Sequence, residues 1–474
     1  MRLTLLSEND VDRIHAASLS ILSTIGVRIP HAEMRRLFRA AGARVDEAEE
    51  VVHIPESLVW SCLESAGKRF TLYGRDRAKQ ACFGQGKRNY NTSGGQALWL
   101  SDSCKERRYA CLEDVVTAAR AGDVLAHINV VGAMADPHEL PSGYRRVAVA
   151  AELLRNTTKP VLFFFHDRAS TRYVLEVLAA VAGGDDALAR YPLTFPFLEP
   201  ISPLKFPFDG IDLLFETARY SFPVPVGPMA QVGVSAPGTL AGTLAQENAE
   251  ILAGICVTQL IRPGLAVCYG GIPHAFDMRT SQIIFGGPEQ ALMAIAMTQL
   301  GQHYGLPVYV NVGLTDSKLP DAQAGMEAGI TLMCGALAGA DIFGHLGIDG
   351  ADQGASLPLL MMQHELIGYV ERVMRGLQVS DDWLGLETIR AVGHDGTHLA
   401  EQFTVQHFRQ ELWFPQLLDR QYWSNWIDQG ATSMHDRCVD MQERLLKKSV
   451  PEPLDGDTNH EIESILDSAR RNLS

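Results

Sequence analysis

The stretch that decides the fold is residues 307–345, PVYVNVGLTDSKLPDAQAGMEAGITLMCGALAGADIFGH. It opens with a short β-branched and aromatic run around Tyr309, which is typical of a buried strand. Residues 321–337 then have a helical pattern, and a second short apolar run starts at Asp341. This order of strand, helix and strand predicts a βαβ unit, in which the two strands lie parallel.

The same unit recurs along the chain at spacings of 30 to 43 residues. The predicted strands begin near Asn89, Ala126, Pro160, Leu193, Pro223, Ala266, Pro307 and Asp341. Eight strands, each followed by a helical pattern, predict an α/β protein with a (β/α)₈ TIM barrel. A doubly wound sheet is the alternative, but its glycine-rich turn follows the first strand. The sequence Gly84-Gln85-Gly86 lacks the third glycine and precedes a strand, so the barrel is favoured.

Segments of different character flank the barrel. Residues 1–86 are predicted to form a small, mainly helical N-terminal domain, and residues 87–379 the barrel catalytic domain. Residues 380–474 are predicted to form a C-terminal helical extension, dense in aromatic residues, that packs on the barrel. Its last part, 455–474, is polar and is expected to fray into solvent.

Composition and charge exclude several classes of protein. The 474 residues include 41 basic and 56 acidic side chains, a net charge of −15, whereas nucleic-acid binding needs a basic surface. No apolar stretch is long enough to cross a membrane, and the first residues lack the apolar core of a signal peptide. None of the eight cysteines forms a Cys-x-x-Cys pair, which argues against structural zinc and disulfides. A cytoplasmic protein is expected.

Candidate site residues lie where the predicted strands end, because barrel enzymes build their active sites there. Glu199 is the most telling, since a carboxylate between Leu198 and Pro200 has little structural reason to be at a strand end. His345 fits a structural role as well as a functional one. The predicted substrate-binding residues are Tyr90, Asn91, Phe165, Phe197, Glu199, Gln231, Tyr269, Asn311, Asp316, Phe343 and His345.

Standard catalytic signatures are missing. The sequence has no phosphate loop, and Gly233-Val234-Ser235-Ala236-Pro237-Gly238 is not a nucleophile elbow. His364-Glu365 lacks the second histidine of a zinc protease, and Asp136-Pro137-His138 lacks the glycine that follows a cobalamin-binding Asp-x-His pair. We therefore expect no metal ion and no corrinoid bound by this chain itself, and we assign no catalytic residue.

Several motifs are spread over nearly the whole chain: 92–95 (TSGG), 315–318 (TDSK), 321–325 (DAQAG), 336–340 (ALAGA) and, in the tail, 407–409 (HFR), Trp413, Pro415 and 419–420 (DR). Together they resemble the trimethylamine methyltransferase family. Trimethylamine enzymes of the family carry pyrrolysine within the barrel, and this chain has none. It therefore resembles the branch without pyrrolysine, whose members demethylate quaternary amines such as glycine betaine.

The resemblance implies that a methyl group moves from glycine betaine or a related betaine to the Co(I) corrinoid of a partner corrinoid protein. A quaternary amine leaves as a neutral tertiary amine, so the protein's task is alignment in a dry pocket. Cation–π contacts suit such a substrate, and the strand ends offer aromatic side chains with Glu199 or Asp316 as countercharge. His345, Asn311 and Gln231 are available to bind a betaine carboxylate. A homo-oligomer is expected.

Two other functions stay open at this point. A tertiary-amine methyltransferase, or a lyase of unrelated chemistry, needs an acid–base pair with perturbed pKa values. A non-catalytic binding subunit would hold the same ligand without turnover. The pKa values of the pocket and a methyl-transfer assay distinguish these functions.

Overall fold

A computed structural model of the chain describes residues 2–103 and 105–473, and a parallel sheet that curls into a barrel lies at its centre. The first strand, Asn89–Thr92, pairs with the last, Ile342–Leu346, and so joins the two ends of the chain's barrel region. The seven strands of this sheet are Asn89–Thr92, Ile128–Gly132, Val161–Leu162, Val224–Val226, Val267–Gly271, Val308–Val310 and Ile342–Leu346.

Residues 193–198 occupy the remaining place in the barrel. The Val161 amide donates to the Leu193 carbonyl at 2.9 Å on one side. On the other side, the Leu198 amide donates to Pro225 at 2.9 Å and the Leu198 carbonyl accepts from Gly227 at 3.0 Å. These bonds close the ring between the third and fifth strands. The predicted (β/α)₈ barrel is thereby confirmed, with its fourth strand reduced to single bridging hydrogen bonds.

Helices surround the barrel as the sequence pattern predicts. One helix follows each barrel position: Leu112–Val124, Ser142–Asn156, Arg168–Ala182, Phe208–Thr217, Leu240–Ile261, Pro288–His303, Ala322–Ala338 and Leu357–Met374. Short helical segments add to this layer at Asp185–Arg190 and Ala218–Tyr220. No helix in the described part of the chain is both long and apolar enough to span a bilayer.

The N-terminal region packs on one side of the barrel and across its bottom. Its helices are Glu8–Ser20, which continues as a π-helical turn Ile21–Ile25, Ala32–Ala40 and Glu56–Ser65. Its strands are Val27–Arg28, Arg44–Asp46 and Val51–His53, and the hairpin Phe70–Tyr73 with Gln80–Phe83. One hydrophobic core runs from these helices into the barrel. A separate domain over residues 1–86 stays a prediction.

The hairpin seals the amino end of the barrel. The rings of Phe70 and Phe83 lie 4.4 Å apart and pack against barrel residues such as Leu162 and Cys268. This buried apolar layer closes the amino end of the barrel, and barrel enzymes have their active sites at the opposite, carboxyl end.

Loops at the carboxyl end form small sheets of their own. Leu98–Leu100 and Arg107–Tyr109, after the first strand, join Ile348–Asp349 and Gly354–Ala355, after the last. The hairpin Ala275–Asp277 with Gln282–Ile284 follows the sixth strand. These ordered loops wall the barrel mouth.

The C-terminal region has two parts. Every residue of the short helices Asp381–Leu384, Leu386–Val392, Gln402–Glu411 and Trp423–Asp428 is described, and none is buried. The helices Met434–Lys448 and Gly456–Leu473, in contrast, pack on barrel helices. The expectation that 455–474 frays is wrong, because Ile462, Leu466 and Ala469 form a buried stripe at helical spacing.

Candidate active site

Two adjoining cavities open at the carboxyl ends of the barrel strands. The inner cavity has a volume of about 180 Å³ and the outer one about 570 Å³. Phe164, Phe197, Glu199 and Met229 line both of them and so stand at the passage between them. The inner cavity is small, since pockets that bind drug-sized ligands measure roughly 300–1,000 Å³.

Aromatic rings form much of the inner wall. Phe164, Phe197 and Phe285 line it, and the ring of Tyr309 lies 5.4 Å from that of Phe197. Gly94 makes room for one of these rings, because a Cβ atom there would lie 3.2 Å from Phe164. The negative faces of such rings attract a cation.

Two carboxyl groups, Glu199 and Asp352, face the inner cavity. The Glu199 side chain is reached through the cavity yet enclosed by protein, and this desolvation raises its pKa to about 7, with Asp352 adding to the rise. Desolvation raises the pKa of Asp352 to about 6. A hydrogen bond from Gln96 stabilises the carboxylate and offsets part of this rise. At neutral pH the cavity therefore carries between one and two negative charges.

The histidines at the cavity are neutral. Burial lowers the pKa of His345 to about 4, and burial does the same to His274, which lies behind the wall. His345 has a φ of 68°, a strained conformation for a residue with a side chain, next to a register shift in the last strand. No described residue forms a hydrogen bond with its ring, which lines the inner cavity.

Asn311 presents an unpartnered oxygen. The Asn311 Nδ2 group donates to His274 Nε2 at 3.3 Å, and His274 Nδ1 donates to the Ile284 carbonyl at 3.1 Å. Within the described residues, the buried Asn311 Oδ1 has no hydrogen-bond partner. Asn311 lines the inner cavity, and its buried oxygen is an unsatisfied acceptor within that wall.

Two buried glutamates hold the loops that carry the site. Glu247 accepts from the amides of Ala230 at 3.1 Å and Ile272 at 3.3 Å, and burial raises its pKa well above the usual range. Glu250, one turn later, accepts from Ser202 Oγ at 2.6 Å and the Leu204 amide at 2.8 Å. The loops after the fourth, fifth and sixth barrel positions are thus tied to a single helix.

The structure brings six of the eleven predicted residues to the cavities. Phe197, Glu199, Asn311 and His345 line the inner cavity, while Phe165 and Gln231 line only the outer one. That these side chains bind substrate stays a prediction.

Three predicted aromatic residues point away from the cavities, towards the helices. The Tyr90 hydroxyl donates to Glu371 at 2.5 Å, and the Tyr269 hydroxyl donates to Asn248 at 2.8 Å. Phe343 packs on the Tyr90 ring at 4.9 Å. Barrel strands are buried on both faces, so an aromatic residue at a strand end fits either face.

Asn91 and Asp316 also lie outside the cavities. Asn91 is buried in the barrel interior, where its amide donates to the Tyr309 hydroxyl at 3.3 Å. The Asp316 carboxylate accepts from the amides of Phe285 at 2.7 Å and Gly286 at 3.2 Å. Asp316 therefore positions Phe285 and does not serve as countercharge in the cavity.

Sequence reasoning missed several residues of the inner wall. Phe164 is adjacent to Phe165, and the prediction chose the wrong one of these two neighbours for the inner wall. Phe285 and Asp352 lie in loops well beyond the strand ends, where the sequence holds no signal for them. The missed lining residues are Gly95, Gln96, Phe164, Met229, Ile272, Phe285 and Asp352.

Positive side chains do not line either cavity. The described walls of the two cavities contain no lysine or arginine, and the outer cavity adds a further carboxyl group, Asp209. No cluster of three or more His, Cys, Asp or Glu side chains in residues 2–103 and 105–473 is arranged to hold a metal ion.

A small aromatic and acidic cavity at the carboxyl end of a (β/α)₈ barrel lies where barrel enzymes have their active sites. The family model described as trimethylamine methyltransferase (MTTB) matches residues 1–474, and the chain belongs to this family. The resemblance seen in the sequence is confirmed, as is the prediction that the chain is a methyltransferase.

Its relatives include enzymes named for two different amines. The chain is 31% identical over 486 residues to the trimethylamine methyltransferase of Methanosarcina acetivorans, covering 99% of this chain and 96% of that one. It is 28% identical over 464 residues to the glycine betaine methyltransferase of Desulfitobacterium hafniense, covering 98% and 96%. The solved monomethylamine methyltransferase of Methanosarcina barkeri is 13% identical, with a TM-score of 0.47 and coverage of 100% and 94%.

Proposed function

We propose that this enzyme takes a methyl group from a quaternary amine and transfers it to the Co(I) corrinoid of a partner corrinoid protein. The observation that carries the proposal is the inner cavity, in which three phenylalanine rings and two carboxyl groups surround about 180 Å³. Membership of the methyltransferase family supports the reaction type.

The cavity suits a quaternary ammonium group for physical reasons. Such a cation cannot donate a strong hydrogen bond, so aromatic faces and nearby negative charge are what hold it, at about 0.5–2 kcal/mol per cation–π contact. Phe164, Phe197 and Phe285 supply the faces, and Glu199 with Asp352 supplies the charge. The sealed amino end of the barrel keeps water from that side.

The reaction then asks little of the protein beyond alignment. The C–N bond breaks, its electron pair stays on nitrogen, and a neutral tertiary amine leaves without a proton. The corrinoid, as second substrate, supplies the cobalt nucleophile that accepts the methyl group. The side chains of this chain bind the ammonium group, aim one methyl at the outer cavity and exclude water. The outer cavity, about 570 Å³, is the side from which the partner protein approaches.

The test is a methyl-transfer assay. Purified enzyme, a Co(I) corrinoid protein and tetramethylammonium, choline or glycine betaine are mixed without oxygen, and the absorption change on methylation of cobalt is followed. We expect methylation with at least one quaternary amine and none without enzyme. Absence of methylation with all of them, using a corrinoid protein shown to be active with another methyltransferase, would refute the proposal.

A tertiary-amine methyltransferase is the second candidate, and one observation favours it. Removal of a methyl group from a neutral tertiary amine would expel an amide anion, so an acid near neutral pH has to supply a proton to the nitrogen. Glu199, with a pKa raised to about 7, is such a group at the cavity wall. In the same assay, trimethylamine would then methylate cobalt faster than tetramethylammonium does, and the rate would depend on pH around 7.

A further inference from the structure

The charge of the inner cavity bears on which amine it accepts. Its two ionisable carboxyl groups, Glu199 and Asp352, meet no lysine or arginine on its described walls. Its one histidine, His345, is neutral because burial lowers its pKa to about 4. The described wall of the outer cavity adds one carboxyl group, Asp209, and one histidine, His166, and it contains no lysine or arginine. A ligand therefore meets a negative field along the whole path.

The hydrogen-bonding groups of the inner-cavity wall also favour a cation over a carboxylate. The Asn311 amide nitrogen is engaged with His274, and its buried oxygen accepts no hydrogen bond from a described residue. The Gln96 amide nitrogen donates to Ser93 Oγ at 3.1 Å and also supports Asp352. The open groups are thus mostly acceptors, which attract the polarised methyl hydrogens of an ammonium ion and repel a carboxylate. Among the described side chains of the inner wall, His345 is the one whose ring N–H has no described acceptor.

We propose that the preferred methyl donor carries a net positive charge, as tetramethylammonium or choline does, and that betaines with a carboxylate near nitrogen are discriminated against. The inference rests on the proposed function and narrows its substrate class. In glycine betaine one methylene separates nitrogen from the carboxylate, so both groups have to share the inner cavity of about 180 Å³. Its carboxylate would lie beside Glu199 and Asp352, and the described wall of this cavity has no lysine or arginine to pair with it.

Choline meets the same wall as tetramethylammonium. Both carry a net positive charge and no carboxylate, so the charge of the wall selects for both of them.

The test is a binding measurement on the enzyme alone, without corrinoid. Isothermal titration calorimetry at pH 8 compares tetramethylammonium, choline, glycine betaine and the longer γ-butyrobetaine. We expect at least one of the two net cations to bind ten-fold or more tightly than glycine betaine, and more tightly than γ-butyrobetaine. Equal or tighter binding of either betaine would overturn the inference.

Charge-neutral variants give the matched comparison. The double variant Glu199→Gln/Asp352→Asn keeps the shape of the wall and removes its charge, so the preference for the cation over glycine betaine is expected to fall about ten-fold. An unchanged preference in the folded variant contradicts the electrostatic argument. If the double variant does not fold, as judged by circular dichroism, each single variant is measured in its place.

The outcome is separable from that of the proposed function. A cation preference in calorimetry together with failure of every amine in the methyl-transfer assay supports the charge selection and refutes methyl transfer. Methyl transfer from glycine betaine with poor transfer from both cations supports the proposed function and refutes this inference.

Discussion

Replacing Glu199 by glutamine tests whether this carboxylate holds the cation. The substitution removes one charge from the inner cavity and preserves its shape. Two unit charges 5 Å apart attract by about 3.3 kcal/mol at an effective dielectric constant of 20, and by about 0.8 kcal/mol in bulk water. Since Glu199 is reached by solvent through the cavity, we expect a loss of about 1–3 kcal/mol, or about a 5- to 150-fold rise in the Kd of tetramethylammonium.

The same charge predicts a dependence on pH. The pKa of Glu199 is raised to about 7, so the carboxylate is mostly ionised at pH 8 and mostly protonated at pH 6. Because the protonated enzyme is expected to bind about 5- to 150-fold more weakly, the wild-type Kd is expected to rise about 3- to 10-fold from pH 8 to pH 6. The Glu199→Gln enzyme keeps only the smaller change due to Asp352, whose pKa is about 6.

The assay is isothermal titration calorimetry at both pH values with wild type, Glu199→Gln and the control Asp209→Asn. Asp209 lies on the outer cavity, so its loss is expected to change the Kd less than two-fold. The reasoning is refuted if Glu199→Gln binds tetramethylammonium as tightly as wild type at pH 8, or if Asp209→Asn weakens binding as much.

Three further substitutions test the wall and its supports. Phe197→Leu removes a ring from both cavities, and a rise in Kd of about 2- to 10-fold is expected by calorimetry. Glu247→Ala leaves two buried amides without an acceptor and is expected to lower the free energy of unfolding by about 2–4 kcal/mol in a urea titration. The control Glu247→Gln stays neutral, like the protonated acid, and should lower the free energy of unfolding less. Equal losses for the two variants would contradict this role of Glu247. Gly344→Ala would place a Cβ atom 1.8 Å from the Tyr309 hydroxyl and should lower Tm sharply, while Gly238→Ala, with nothing within 4 Å, serves as the control; equal Tm values would be inconsistent with the packing described.

Most of the fold could be predicted from the sequence, because strand and helix patterns alternate at regular spacing. Short apolar runs such as the one around Tyr309 alternate with helical patterns, and eight such units permit few arrangements. The C-terminal end was harder, since polar residues between Ile462, Leu466 and Ala469 obscure a buried helical stripe.

The site was readable only in part. Position along the chain placed Glu199 and His345 at the barrel mouth, because strand ends are local features. The sequence did not show on which face of its strand the Tyr269 side chain lies, because both faces of a barrel strand are apolar. Long-range contacts were not readable either: Phe285 reaches the cavity because the distant Asp316 carboxylate fixes its backbone.

The measurement that bears most directly on the central claim is the position of the bound cation. Tetramethylarsonium has the shape and charge of a quaternary ammonium ion, and its arsenic gives an anomalous signal in a crystal. The account predicts one strong peak in the inner cavity, among the rings of Phe164, Phe197 and Phe285 and beside the Glu199 carboxylate. A peak elsewhere, or an inner cavity without arsenic at a saturating concentration, would contradict it.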